Sequence, residues 1–295
     1  MLGLGRGLGS GIGVLFVGLS SCGGDAFSVA GEAGAVGAAA VTDASPVGDA
    51  QLSDASAAGS TWCSTQGTHT FCEDFSEGVP GQLMSADTAG AALERDTSTF
   101  PSGANPPLSM SATTPSLVNV GDSAAAIGIV GFPDNDGVHD VLQAEFDVSD
   151  SCFDHGDKDG VSILALSFTE DRYLLALVVE SNGSELLEVT TGLDGGTTNA
   201  VLHPLSTGLP VDKWAAVNVD VNVGAASAAG SSVSGTATVK VNGLDVLAGQ
   251  KLSLVPILGA HHPTLGLGAS VKNDLGISDG CKVNVDEVLL DISVM

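Results

Sequence analysis

Three acidic residues spaced as Glu145-Phe-Asp147-Val-Ser-Asp150 are the best candidates in this sequence for bond-breaking chemistry. On a strand, side chains alternate, so Glu145 and Asp147 would share one face with Cα atoms about 6.5–7 Å apart. Two carboxyls about 5–5.5 Å apart can cleave a glycosidic bond with retention, one as nucleophile and one as acid. The plainer reading is a polar strand face. Cation binding is a second chemistry. Asp134-Asn-Asp136-Gly137 and Asp154-His-Gly-Asp157-Lys-Asp159-Gly160 offer hard oxygens around tight turns, as calcium requires. Neither fits the EF-hand register: with Gly160 sixth, position one is His155 and position twelve is Leu166. They are calcium candidates of another geometry, or solvated acidic turns. Gly276-Ile-Ser278-Asp-Gly280 has the form G-x-S-x-G, but a strand follows it and no His lies after Ser278, so it is not a nucleophile elbow. The adjacent His261 and His262 would point to opposite faces of a strand and cannot share a metal there. Tyr173, Phe132, Phe153 and Trp62 lie in or beside turns and are candidates for stacking on a ligand.

Charge narrows the partners. The 295 residues carry 9 Lys+Arg against 35 Asp+Glu, a formal charge of −26. Nine scattered cations cannot displace the counterions of a nucleic acid, so that partner is excluded. A hydrophobic fraction of 43% is too high for a wholly disordered polyanion. No run approaches the roughly 20 apolar residues that span a bilayer.

The first 21 residues read as an export signal: Arg6, an apolar core from Ile12 to Leu19, then small residues. Leu19-Ser20-Ser21-Cys22 resembles the lipobox of bacterial lipoproteins. That resemblance implies cleavage before Cys22, a lipid thioether on its sulfur and acylation of the new amine, for example by palmitate. Multiple acyl chains, at about 0.8 kcal/mol per buried methylene, make such an anchor effectively permanent. Gly23 after the cysteine, rather than Asp, implies sorting to the outer membrane, with the facing side left open. Residues 22–60 are mostly Ala, Gly, Ser and Asp without Lys or Arg, and read as a disordered, flexible tether.

Lipidation of Cys22 leaves Cys63, Cys72, Cys152 and Cys281, an even set in an exported chain. Of the three possible pairings, Cys63–Cys72 with Cys152–Cys281 is expected, because the first two lie close together around Gln66-Gly67-Thr68. Loop entropy would contribute about 3 kcal/mol for the short loop and about 5 kcal/mol for the long one.

These sites must be positioned by strands. Val161–Phe168, Tyr173–Glu180, Trp214–Val223, Thr236–Asn242 and Lys282–Ile292 all repeat with period two. In Trp214–Val223 the valines face one way, and Asn218, Asp220 and Asn222 face the other. Asn182-Gly183 and Asn242-Gly243 mark tight hairpins. Many short strands without helices predict an all-β sandwich over residues 61–295.

Four segments, Phe71-Cys-Glu-Asp-Phe75, Leu209-Pro-Val-Asp-Lys-Trp214, Thr236–Gly243 and Val283–Asp291, resemble in order the strands of the concanavalin A-like, laminin-G-like jelly roll. The resemblance implies two antiparallel sheets, often a calcium site, and often a glycan or protein ligand. Glu145–Asp150 also resembles the E-x-D-x-x-E strand of laminarinase-like glycoside hydrolases, departing from it in having Asp150 where the acid is Glu. Three functions follow as expectations. The first is a lipid-anchored envelope protein that binds a glycan or protein without catalysis. The second is a cell-surface glycoside hydrolase or lyase. The third is a structural envelope lipoprotein with no small ligand, which the sequence does not separate from the first.

Overall fold

The structure is a computed structural model. It describes residues 62–76, 84–87, 90–104, 108–119, 122–132, 138–153, 160–168, 173–191, 198–223, 235–253, 264–272 and 280–293. Two antiparallel sheets pack face to face. The larger has eight strands, with spatial order β13 (Leu244–Leu252), β12 (Gly235–Val241), β11 (Ala215–Val223), β6 (Val138–Val148), β15 (Lys282–Ser293), β4 (Ser109–Thr113) and β3 (Ala92–Asp96), while β1 (Phe71–Glu73) pairs with the far half of β15. The second has seven: β10 (Thr198–Pro204), β9 (Gly183–Thr191), β8 (Tyr173–Glu180), β7 (Val161–Phe168), β14 (Thr264–Lys272), β5 (Ser123–Gly131) and β2 (Met84–Asp87). The expected all-β sandwich is what forms. Among the described residues the helices are a single turn, α1 (Trp62–Gln66), and a 3-10 turn at Asp150–Phe153.

Side-chain alternation explains the larger sheet. Val217, Val219, Val221 and Val223 of β11 are buried, while Asn218, Asp220 and Asn222 between them are only partly so. The buried set meets Leu175 and Leu177 of β8 and Leu265 and Leu267 of β14 in one core. Each such side chain contributes about 1.5–3 kcal/mol by leaving water. Alternation with one wet face fails in β7, where every residue is buried, and largely fails in β8. There the outward residues Ala165, Leu174, Ala176 and Leu187 make a second apolar cluster, so these strands are dry on both faces.

Both disulfides pair as expected, Cys63 with Cys72 and Cys152 with Cys281. The hairpin at Asn242-Gly243 needs positive φ at both central residues, and they adopt 51° and 78°. Asn242 Oδ1 also accepts the Ala216 N–H at 3.0 Å, tying that turn to β11.

Candidate functional site

The outward face of the eight-stranded sheet is polar, and strand register sets its rows. Asn284 of β15 stands opposite Asp147 of β6. In the next row Asp286 stands opposite Glu145, which also pairs with Ala216 of β11. Leu289, Gln143, Asn218 and Lys240 follow, then Asp291, Val141, Asp220 and Thr238. Opposed Cβ atoms on antiparallel strands lie about 4.5–5.5 Å apart, nearer than the two-residue step along a strand. Glu145 therefore has Asp286, not Asp147, as its nearest carboxylate neighbour by register.

A bulge shapes this row. β15 carries one extra residue against β6 between Asp286 and Leu289, and Glu287 takes φ 51° there. Asp286 Oδ1 accepts the Glu287 N–H at 2.9 Å. Asp74, just after β1, adds a fourth carboxylate, which accepts the N–H groups of Cys63 and Ser76, each at 3.1 Å. Burial pushes Asp286 up to about 8; the charges of Glu287, Glu145 and Asp74 add to this, and the Glu287 N–H opposes it. Burial also raises Glu145, and it raises Glu287 with help from Glu145 and Asp74. Near neutrality Asp286 thus keeps its proton and can act as a hydrogen-bond donor.

At the end of β6 the arrangement differs. Burial and the nearby charge of Asp212 raise Asp147, against a hydrogen bond from Asn284 and the charge of Lys282. Lys282 Nζ is itself held by Asp96 Oδ2 at 2.8 Å. Asp150 does not join Glu145 and Asp147. β6 stops at Val148, and Asp150 opens the 3-10 turn, exposed, with its N–H donated to Asp212 Oδ1 at 2.9 Å. The three-carboxylate strand expected from the sequence is therefore not assembled.

The aromatic candidates scatter. Tyr173 is fully buried in the core, and its hydroxyl donates to Glu188 Oε1 at 3.0 Å, so it does not face a ligand. Its position at the head of β8, inward by alternation, overrides its place beside a turn. Phe132 packs against the core and meets Phe71 edge-on at 6.1 Å, and Phe153 packs against the same core. Trp62 is half-buried in α1. Cys22 and the calcium candidates Asp134, Asp136, Asp154, Asp157 and Asp159 lie outside the described residues. Among the described residues, no three His, Cys, Asp or Glu side chains converge on a point that could hold a metal. Sequence reasoning missed Asp74, Asp286, Glu287, Asn284 and Asp212. The segments containing Asp74 and Asp286 were visible only as strand markers, because the pairing of β15 with β6 and of β1 with β15 is a property of sheet order.

No family model and no curated protein matches the chain. Solved structures do. An endo-β-1,4-glucuronan lyase from the fungus Trichoderma reesei aligns over 76% of this chain and 95% of its own, with TM-score 0.54 and 12% identity. A marine PL-14 alginate lyase from Aplysia kurodai aligns over 67% of this chain and 86% of its own, with TM-score 0.47 and 9% identity. At such identities the likeness speaks for architecture alone. The chain has the two-sheet, concanavalin A-like jelly-roll fold of the glucuronan lyase.

Proposed function

We propose that this chain is an exported, lipid-anchored outer-membrane protein whose sandwich binds a glycan on the outward face of the eight-stranded sheet without cleaving it. The reading rests on the composition of that face. Gln143, Asn218, Asp220, Glu145 and Asp147 stand in register on adjacent strands, offering amide and carboxylate groups to sugar hydroxyls. The lyase alternative draws support from the fold shared with the glucuronan lyase, and the chemistry of this face speaks against it. The face is rich in carboxylates, which repel a polyanion.

The test is a glycan array probed with the full chain, followed by β-glucan, alginate and glucuronan turnover assays. Saturable binding that Gln143→Ala and Asn218→Ala weaken, with no product formed, is the expected result. Product release from any polymer would overturn the non-catalytic reading. A second reading, a retaining glycoside hydrolase, would pair Glu145 with Asp286, which stands directly opposite it and is buried. In that case oligosaccharides would appear from a β-glucan and vanish with Glu145→Gln. Anchoring has its own test. Labelled palmitate should enter the parent chain and not Cys22→Ala, which should leave the envelope fraction; equal label in both would end the anchoring reading.

A further inference from the structure

Asp147 and Asn284 face each other across β6 and β15, and a hydrogen bond joins their side chains. Each nevertheless retains a buried oxygen, Asp147 Oδ1 and Asn284 Oδ1, with no hydrogen-bond partner among the described residues. Asn284 is only 3% exposed, so water does not reach that amide oxygen as it would on a surface. A third oxygen donor is held nearby by the backbone. Val211 forms a parallel bridge with Val148, and the Asp212 N–H donates to Val148 O at 2.8 Å. Asp212 adopts φ 54°, and its Oδ1 accepts the Asp150 N–H. That turn sets the charge of Asp212 close enough to act on Asp147. Lys282, whose charge acts on Asp147, is engaged by Asp96.

We propose that Asp147, Asn284 and Asp212 bind a hydrated calcium-class divalent cation at the end of β6. The donors are all hard oxygens, two of them carboxylates, and this is a smaller set than a cage of three acidic or imidazole ligands. An irregular, partly hydrated oxygen set suits calcium better than magnesium. Calcium–oxygen bonds of about 2.3–2.6 Å let one ion bridge oxygens nearly 5 Å apart, whereas the shorter magnesium bonds of about 2.0–2.1 Å demand a tighter octahedron. Three protein donors with water completing the shell place the affinity in the weak class of extracellular modules, roughly 0.1–1 mM.

Terbium reports on this site, because Trp214 lies two residues from Asp212 and can sensitise its emission. The full chain should show saturable terbium emission on tryptophan excitation, displaced by calcium and largely lost in Trp214→Phe. Asp147→Asn and Asp212→Asn should each weaken terbium binding at least tenfold, and Asp150→Asn, at a residue whose backbone N–H makes the contact to Asp212, should not. Asp212 is exposed, so its substitution tests the site even if Asp147→Asn fails to fold. No sensitised emission, or unchanged affinity in Asp212→Asn, overturns the proposal. So does loss of binding with Asp136→Asn or Asp157→Asn while Asp212→Asn still binds, which would put the ion in one of the acidic loops.

Discussion

The hydroxyl of Tyr173 donates to Glu188 Oε1 at 3.0 Å, within the core of the sandwich. The other carboxylate oxygen of Glu188 accepts from His203 Nε2 at 3.1 Å and from the Ser253 N–H at 3.0 Å. Glu188 is fully buried, yet donors from β8, from β10 and from Ser253, just past β13, surround it. The node therefore joins an edge of one sheet to an edge of the other. Tyr173→Phe removes one donor to a buried carboxylate and should cost about 1.5–3 kcal/mol in urea denaturation. Glu188→Leu should cost more, because the Tyr173 hydroxyl, the His203 ring and both the N–H and hydroxyl of Ser253 lose their acceptor together. Burial and the charge of Glu188 also push the Tyr173 phenol far above its ordinary 10. The folded chain cannot ionise its only tyrosine, so stability falls as pH rises past 10, where the unfolded phenol loses its proton. Alkaline difference absorbance should show no phenolate until the chain unfolds; a reversible step near pH 10 in the folded chain would contradict this geometry.

Asp140 is the opposite case. It is fully buried on the inner side of β6, between Val221 and Ile292, and neither of its oxygens has a partner among the described residues. Desolvation alone raises it from 3.8 to about 7. A folded pKa above the unfolded one means the native state holds the extra proton. Stability is then greatest below pH 3.8 as far as this group is concerned, and it declines as pH rises from there to about 7. Three units at 1.36 kcal/mol each set an upper bound of about 4 kcal/mol on the loss at neutral pH. Asp140→Asn should flatten that slope, so that its stability relative to the parent is higher at pH 8 than at pH 5. An unchanged slope in paired denaturation curves would show that Asp140 is solvated.

His69 works through its partners on both sides. Nδ1 lies 2.9 Å from Asp291 Oδ2, and Nε2 lies 3.0 Å from the Gln66 carbonyl. Both ring nitrogens meet acceptors, so the doubly protonated ring suits the site, and its pKa is raised mainly by the bond to Asp291. A raised histidine stabilises fully below its unfolded value of 6.5 and loses that contribution as pH rises through the folded one. The contact is at the surface, so the effect is local. In a Trp214→Phe background, Trp62 emission should change with a midpoint above pH 6.5, and His69→Gln should abolish the change. A midpoint at or below 6.5 would mean that Asp291 does not hold the proton.

How much of this was legible beforehand follows from what alternation encodes. Val217 to Val223 state their own burial, and Asn242-Gly243 states its own turn, so the strands and the sandwich could be read locally. Spacing also favoured the Cys63–Cys72 pairing. Glu145 opposite Asp286 could not be read, because 140 intervening residues separate partners that only the order of β6 and β15 brings together. Tyr173 was misjudged for a related reason: proximity to a turn says little about which face a strand's first residue takes. The orphaned oxygens of Asp140, Asp147 and Asn284 depend on packing that no pattern of residue types reveals.

Gly268 shows what a single Cβ decides. It adopts φ 144°, and a Cβ there would collide with the Ala126 carbonyl oxygen on the neighbouring β5. The obstacle is backbone, so it cannot swing aside as a side-chain tip would. On the other flank of β14, pairing with β7 shifts register between Leu267 and Ser270, so the strand has already bent at this point. Gly266, two residues earlier, would meet the Ile127 side chain at 3.2 Å, a tight contact, and the Ala165 Cβ at an ordinary 3.6 Å. Gly268→Ala should therefore destabilise by more than about 2 kcal/mol, through strain and a forced separation of β14 from β5, while Gly266→Ala should cost less. Thermal melts of the two variants separate backbone contact from side-chain contact; equal melting temperatures would show that β14 can shift away from β5 without loss.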